Sequence, residues 1–364
     1  MNSPLALTIA VAIITIAILS VLSLKAEVKT GFNATNTSES MVKKEGLFQK
    51  APELQGISGY INTNEGFKLS NVKGKVILVD FWTYTCIDCI RTLPYLTAWD
   101  EKYRDKGLVI VGVHTPEFEF EKDYNNVKQA TQKYGVKYPV VQDNDYATWR
   151  AYGNLYWPHK YLIDADGFIR YDHIGEGGYA ETEEMIQKLL MERDQKIQMS
   201  ELVTSNASSQ NFDLFQIGTP ELYLGYGFAR APLGNTEGFK PEQTVTYSIP
   251  QNFQDNLVYF DGTWKNNPDN MELVSDSGKI VLKYKAKTVN LVAGGKSNLT
   301  LQLDGVVLTQ NQLGSDAILK DGNPVVFIDE QRLYNVVDGG DYSERTITID
   351  VKGKGFKLYT FTFG

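Results

Sequence analysis

Two cysteines in 364 residues allow at most one internal disulfide. They are Cys86 and Cys89, and a bridge between them would close too short a loop to restrain the unfolded chain much. A disulfide-stapled scaffold is therefore excluded, and so is a cysteine-rich zinc module. Histidine is almost as scarce. His114, His159 and His173 are the three present, and no two stand at metal-ligand spacing. Positive charge is in deficit, with 36 Lys and Arg against 44 Asp and Glu and a net charge of -8. That argues against nucleic-acid binding, which needs a basic face. No internal repeat is visible, so a solenoid or propeller is not expected. Long apolar runs are missing except for one, Leu5 to Leu24, which carries no charge.

That run has about the twenty residues a helix needs to cross a bilayer core. Residues 1–25 are therefore expected to form a membrane anchor or a cleaved signal segment. Lys25 and Lys29 are offset by Glu27, so flanking charge does not set an orientation. Either form would place the rest of the chain outside the cytosol. Asn33, Asn36, Asn206 and Asn298 each begin an Asn-x-Ser/Thr triplet, which suits that location.

What is present centres on Val76 to Pro94. The apolar run Val76-Ile77-Leu78-Val79 ends in Asp80, Phe81-Trp82-Thr83-Tyr84-Thr85 follows, and then come Cys86-Ile87-Asp88-Cys89. Apolar residues recur at Ile90, Leu93 and Leu96, so the stretch reads as strand, turn and helix, with Cys86 at the helix start. Two cysteines there favour thiol-disulfide exchange, because a helix N-terminus stabilises a thiolate. Cys86 is expected to attack a partner disulfide and Cys89, one turn on, to resolve the mixed disulfide. No cofactor beyond this redox-active pair is expected. Asp80 ends an apolar strand, where burial would raise its pKa. It reads as a proton relay beneath the cysteines or as a partly solvated strand end. Asp88 disfavours a Cys86 thiolate and Arg91 offsets it, leaving the net sign open.

Residues 26–54 read as a tether, and a first folded domain spans 55–195. Gly59 to Leu69 suggests a small hairpin ahead of the main sheet. Leu108 to Val113 is a second buried strand, Phe120 to Tyr134 a helix, and Val140-Val141 a short strand opened by Pro139. Lys160 to Ile163 and Phe168 to Asp172 flank the turn Asp166-Gly167, and Glu181 to Arg193 closes the domain as a helix. The order β-α-β-α-β, hairpin, helix implies parallel central strands with an antiparallel edge pair. Residues 196–211 form a polar linker. From 212 to 364 helical periodicity gives way to short alternating runs between Gly-rich turns, the pattern of an all-β sandwich, jelly-roll-like.

Asp80-Phe81-Trp82, Cys86-x-x-Cys89 and Pro94 resemble the thioredoxin core of the TlpA- and ResA-type oxidoreductases. The resemblance implies an α/β thioredoxin-like domain in which Asp80 assists proton transfer, Pro94 bends the active-site helix and Pro158 is a cis proline facing the cysteines. Trp157 would then present its backbone to the incoming partner, and Trp82 would support the site. Longer phrases, Phe81 to Leu96, Gly112 to Phe118, Thr219 to Gly225 and Tyr359 to Gly364, are similar to the periplasmic part of DipZ-type proteins. That similarity implies a β-sandwich like a carbohydrate-binding module, with Trp264, Tyr259, Phe260 and Tyr334 as a sugar-stacking face or as core. Possible partners are then a glycan and a protein dithiol or disulfide, either an exported substrate protein or a separate membrane electron-transfer protein. DipZ-type chains commonly carry Asn where Asp88 stands.

His114 and Glu117 follow the second core strand and are candidates for shaping the cysteine pocket or for loop hydrogen bonds. His159 follows Pro158. Two thiolates with His159 would make a copper site, the competing expectation of a copper-handling protein.

Overall fold

The computed structural model describes residues 44–204 and 214–364. The apolar run at 5–24, its neighbours and most of the expected tether lie outside those residues. Among the described residues no helix is long and apolar enough to cross a membrane.

The first domain is built in the order β1 (Gly59–Ile61), β2 (Val76–Trp82), α1 (Ile87–Tyr103), β3 (Leu108–His114), α2 (Tyr124–Lys133), β4 (Val140–Gln142), α3 (Ala147–Ala151), β5 (His159–Ile163), β6 (Ile169–Ile174) and α4 (Tyr179–Arg193). The sheet runs β1-β4-β3-β2-β5-β6. β2, β3 and β4 are parallel, whereas β5 pairs antiparallel with β2 and β6 with β5. Every residue of β2 is buried, because both faces of this central strand are covered. Leu78 and Trp82 pack with Cys89, Leu93 and Trp99 of α1 and with Leu189 of α4. Val79 and Phe81 pack on the opposite face with Trp149, Tyr152 and Tyr161. Each such side chain contributes roughly 1.5–3 kcal/mol of burial.

The expected hairpin at 59–69 does not form. β1 instead pairs antiparallel with β4, and Leu69–Val72 is a 3-10 turn. Three residues are too few to sustain a hairpin of their own, and the exposed edge of β4 offers partners at once. At the end of the expected tether, Ala51 donates its N–H to Gly167 O, and Glu53 accepts the N–H groups of Leu69 and Ser70. The described part of the linker is also pinned. Ser200 and Val203 donate backbone N–H groups to Gln187 and Glu183 of α4. Glu183 further accepts Trp99 Nε1–H at 3.0 Å and Tyr103 O–H at 2.6 Å, which ties α4 to α1.

Among the described residues the named strands of the second domain all pair antiparallel, and the domain is almost free of helix. It forms one continuous curled sheet rather than two separate ones. Val258–Asn266 makes the corner, pairing with Ser277–Lys285 on one side and with Met271–Leu273 on the other. The sheet closes over a single apolar core that includes Phe260, Trp264, Tyr334, Ile347, Leu358 and Phe361. Phe260, Trp264 and Tyr334 are fully buried and Tyr259 nearly so, which favours the core reading of these rings over the sugar-stacking one. Alternation puts Phe260 and Trp264 on the core face and Tyr259 on the other, where its ring meets that of Phe253, and the polar ends of the core rings are satisfied: Trp264 Nε1–H reaches Asp261 O and Tyr334 O–H reaches Glu330 O.

Residues 48–364 pack as one unit. The loop after β3 is the plug between the domains. Phe118 lies in an apolar cluster with Tyr223, Val292 and Tyr359, and the rings of Phe120 and Tyr359 stand 4.7 Å apart.

Candidate active site

Cys86 is the N-cap of α1. Its extended backbone (φ -73°, ψ 118°) lets Sγ accept the Cys89 N–H at 3.2 Å. The parallel strand β2 delivers the chain to this point, and the turn Thr83 to Thr85 reverses it. That turn is held from below by a buried carboxylate. Glu121, fully buried, accepts the Thr85 hydroxyl and the N–H groups of Glu117 and Phe118. His114, opposite Trp82 in the β2–β3 register, sits 3.3 Å from Thr83 Oγ1 through Nε2. Burial drives its pKa down to about 3, so the ring is neutral and structural, stacked on Tyr84.

Both thiols are free, Cys86 half-buried and Cys89 buried. Burial pushes the Cys86 thiol well up, and Cys89 and Asp88 add to that, while the Cys89 N–H works the other way. The helix terminus is therefore outweighed in the dithiol state, because desolvation acts on the whole charge and the terminus on a fraction of one. Cys89 is also raised by burial, with Asp80 and Asp88 adding; its bonds to Cys86 and to the Thr83 backbone oppose this. Asp88 pairs with Arg91 at 3.5 Å, and Arg91 reaches Glu176 at 3.4 Å.

Asp80 is 1% exposed and burial lifts its pKa to about 7, with Lys160 pulling it down. Its Oδ1 has no hydrogen-bond partner among the described residues. Lys160 is the residue directly opposite in β5 and is itself 1% exposed. Its ammonium donates to Gly175 O at 2.9 Å. Burial lowers its pKa, with Asp80, Cys89 and Cys86 opposing. A lysine inside an apolar strand was the visible signal, one residue beyond the histidine that drew attention instead.

The Trp157–Pro158 peptide bond is cis. Trp157 is fixed by Nε1–H to Thr115 O at 3.1 Å and by its ring 4.2 Å from that of Trp149. Pro94 lies inside α1. Trp82 packs in the same cluster as Cys89. His159 does not approach the cysteines. Successive strand residues face opposite ways, so Lys160 shares the Asp80 face and His159 the Phe81 face. There Nδ1 meets Asn154 Oδ1 at 2.6 Å and Nε2 meets Asp172 Oδ2 at 2.9 Å. The copper set of Cys86, Cys89 and His159 is thereby overturned, and among the described residues no three His, Cys, Asp or Glu side chains are grouped to hold a metal.

Cys86 opens into a cavity of about 270 Å3 between the two domains. Ile87, Asp88, Glu117 and Trp157 line one side, and Thr219, Glu221, Tyr223 and Phe363 the other. The second domain's contribution was not foreseen, since residues more than a hundred positions away carry no local signal. Glu117, half-buried, is lifted to about 8 by loss of water, then by Glu221 and Glu121.

Residues 48–172 match the AhpC/TSA family, and residues 219–364 match the family described as Thioredoxin like C-terminal domain. Protein DipZ of Mycobacterium bovis is 34% identical over 316 residues, 86% of this chain and 43% of that protein. The chain thus spans less than half the length of that relative. Thiol-disulfide oxidoreductase YkuV of Bacillus subtilis is 29% identical over 148 residues, covering 41% of this chain and 99% of YkuV. Thiol-disulfide oxidoreductase ResA of Bacillus thuringiensis subsp. konkukian is 30% identical over 122 residues, 34% of this chain and 68% of ResA. With a Cys-x-x-Cys pair at the start of α1, a buried acid behind it and this similarity to ResA, the chain belongs to the thioredoxin-like thiol-disulfide oxidoreductases.

Proposed function

We propose that this protein exchanges disulfides with a protein partner through Cys86 and Cys89, acting outside the cytosol. The observation that carries the reading is the asymmetry of the pair. Cys86 faces an open cavity, and Cys89 is buried against the Asp80–Lys160 pair. The thiolate of Cys86 attacks one sulfur of the partner disulfide, the partner S–S bond breaks, and its leaving thiolate takes a proton. Asp80, poised near neutrality, accepts the Cys89 proton. Cys89 then attacks Cys86 Sγ, releasing the second partner thiolate and leaving the Cys86–Cys89 disulfide.

The surroundings of Cys86 favour the reducing direction. Asp88 and burial disfavour the thiolate that would otherwise stabilise the reduced form, so the dithiol gives up its electrons more readily. The second domain serves as a wall of the exchange cavity, where Glu221 and Tyr223 meet the partner beside Trp157. The apolar run at 5–24 would anchor or export the chain. Reduction of insulin by the full chain tests the reading: Cys86→Ser abolishes it, and undiminished turnover by that variant refutes the proposal.

A further inference from the structure

Tyr223 of the second domain sits between two carboxyl groups. Its phenolic oxygen is 2.5 Å from Glu117 Oε1 and 2.9 Å from Glu221 Oε2. A phenol has one hydrogen and can donate to only one of them. The other contact is a hydrogen bond only if that carboxyl carries a proton and donates to the phenolic oxygen. The three groups therefore share one proton more than two carboxylates and a phenol would hold. All three line the cavity into which Cys86 opens.

We infer that the Glu117–Tyr223–Glu221 chain is a proton donor to the departing partner thiolate, supplied jointly by the two domains. This rests on the exchange reading above. When Cys89 attacks Cys86 Sγ, the bond between Cys86 and the partner sulfur breaks, and the electron pair leaves with the partner sulfur. That sulfur takes the shared proton and departs as a thiol. The cluster regains a proton from solvent through the open side of the cavity.

The setting suits the task. Loss of water raises both carboxyls, and Asp88 adds to the rise of Glu221. The charged and titratable groups facing the cluster are Asp88 and Cys86 from the start of α1, Glu121 and Tyr146 behind Glu117, and Arg230, whose guanidinium lies 4.8 Å from the centre of the Tyr223 ring. Arg230 lowers both carboxyls and so keeps the shared proton transferable. The acidic surroundings keep it present near neutrality.

An acid that assists a leaving thiolate matters only when that thiolate is a poor leaving group. The full chain, reduced, is therefore compared with Glu221→Gln and Tyr223→Phe on two uncharged disulfides, 4,4′-dithiodipyridine and 2-hydroxyethyl disulfide. The first releases a stable aryl thiolate and the second a basic alkyl thiolate. Both variants are expected to lose about tenfold or more in rate on the alkyl disulfide relative to the aryl one, the low end of general-acid effects. The alkyl rate should also rise more steeply with pH in the variants than in the parent, where loss of the acid offsets the gain in thiolate. Equal losses on both substrates, or no loss on either, would overturn the inference while leaving the exchange reading intact. A parent chain inert toward both disulfides would overturn the exchange reading, and this inference with it.

Discussion

Asp80 and Lys160 stand directly opposite each other across the β2–β5 pair, each 1% exposed and each on the Cys89 face of the sheet. The pair is a buried acid with one oxygen that has no hydrogen-bond partner among the described residues, and a buried base held by a backbone carbonyl. Neither is placed for stability. Two charged groups in a dry interior cost more than they return, and their proximity to the cysteines gives them a different use.

The first prediction follows from that cost. Asp80 has its pKa raised from 3.8 to about 7. Between those values the folded chain holds a proton that the unfolded chain releases, so stability falls as pH rises through the window. Asp80→Asn removes the fall. Denaturant unfolding should show the variant more stable than the parent at pH 8 by on the order of 2–4 kcal/mol, and equal to it near pH 3. The same variant should resolve mixed disulfides more slowly. A variant less stable at pH 8 would show that the Asp80 carboxylate is held by bonds rather than strained by burial.

Asp88 raises both thiols from the first turn of α1. Asp88→Asn should lower the Cys86 pKa, read from thiolate absorbance near 240 nm, and make the pair less reducing. A three- to tenfold change in the dithiol equilibrium corresponds to about 15–30 mV. An unchanged potential against a glutathione or dithiothreitol buffer would remove Asp88 from the account.

Gly112 admits Trp82 to the core. A Cβ at that position would lie 2.9 Å from Trp82 Nε1, 3.2 Å from Val140 Cγ2 and 3.3 Å from Tyr138 Cε2. Gly112→Ala should destabilise the chain by about 1–3 kcal/mol and alter the near-UV signal of the buried tryptophan. Parent-like unfolding would mean that the Trp82 cavity yields freely.

Local sequence carried much of this site and distance hid the rest. Asp80, Trp82, Cys86, Cys89 and Pro94 lie within one strand-turn-helix, where periodicity and position speak for themselves. Pro158 came through family resemblance. Lys160 was readable in principle, as a lysine two residues past that proline in an apolar strand, but its face depends on register. The same single step of alternation sends His159 to Asn154 and Asp172 and takes the copper reading with it. In sequence Glu121 is one of several glutamates in a loop, and a buried acceptor of two N–H groups and a hydroxyl differs from an exposed one only in three dimensions. Glu221 and Tyr223 reach the cavity from the second domain, and nothing near them in sequence announces it. The second domain's alternating strands were visible, whereas the corner strand Val258–Asn266, which joins two sheets into one, is a matter of hydrogen bonding alone.

The most direct test traps the reaction halfway. Full-length Cys89→Ser is incubated with a peptide disulfide and analysed by mass spectrometry, alongside the double variant with Cys86→Ser. The account predicts a stoichiometric mixed disulfide on Cys86 that persists until a reductant is added, and no adduct in the double variant. Absence of an adduct on Cys86, with partner reduction proceeding all the same, would contradict it.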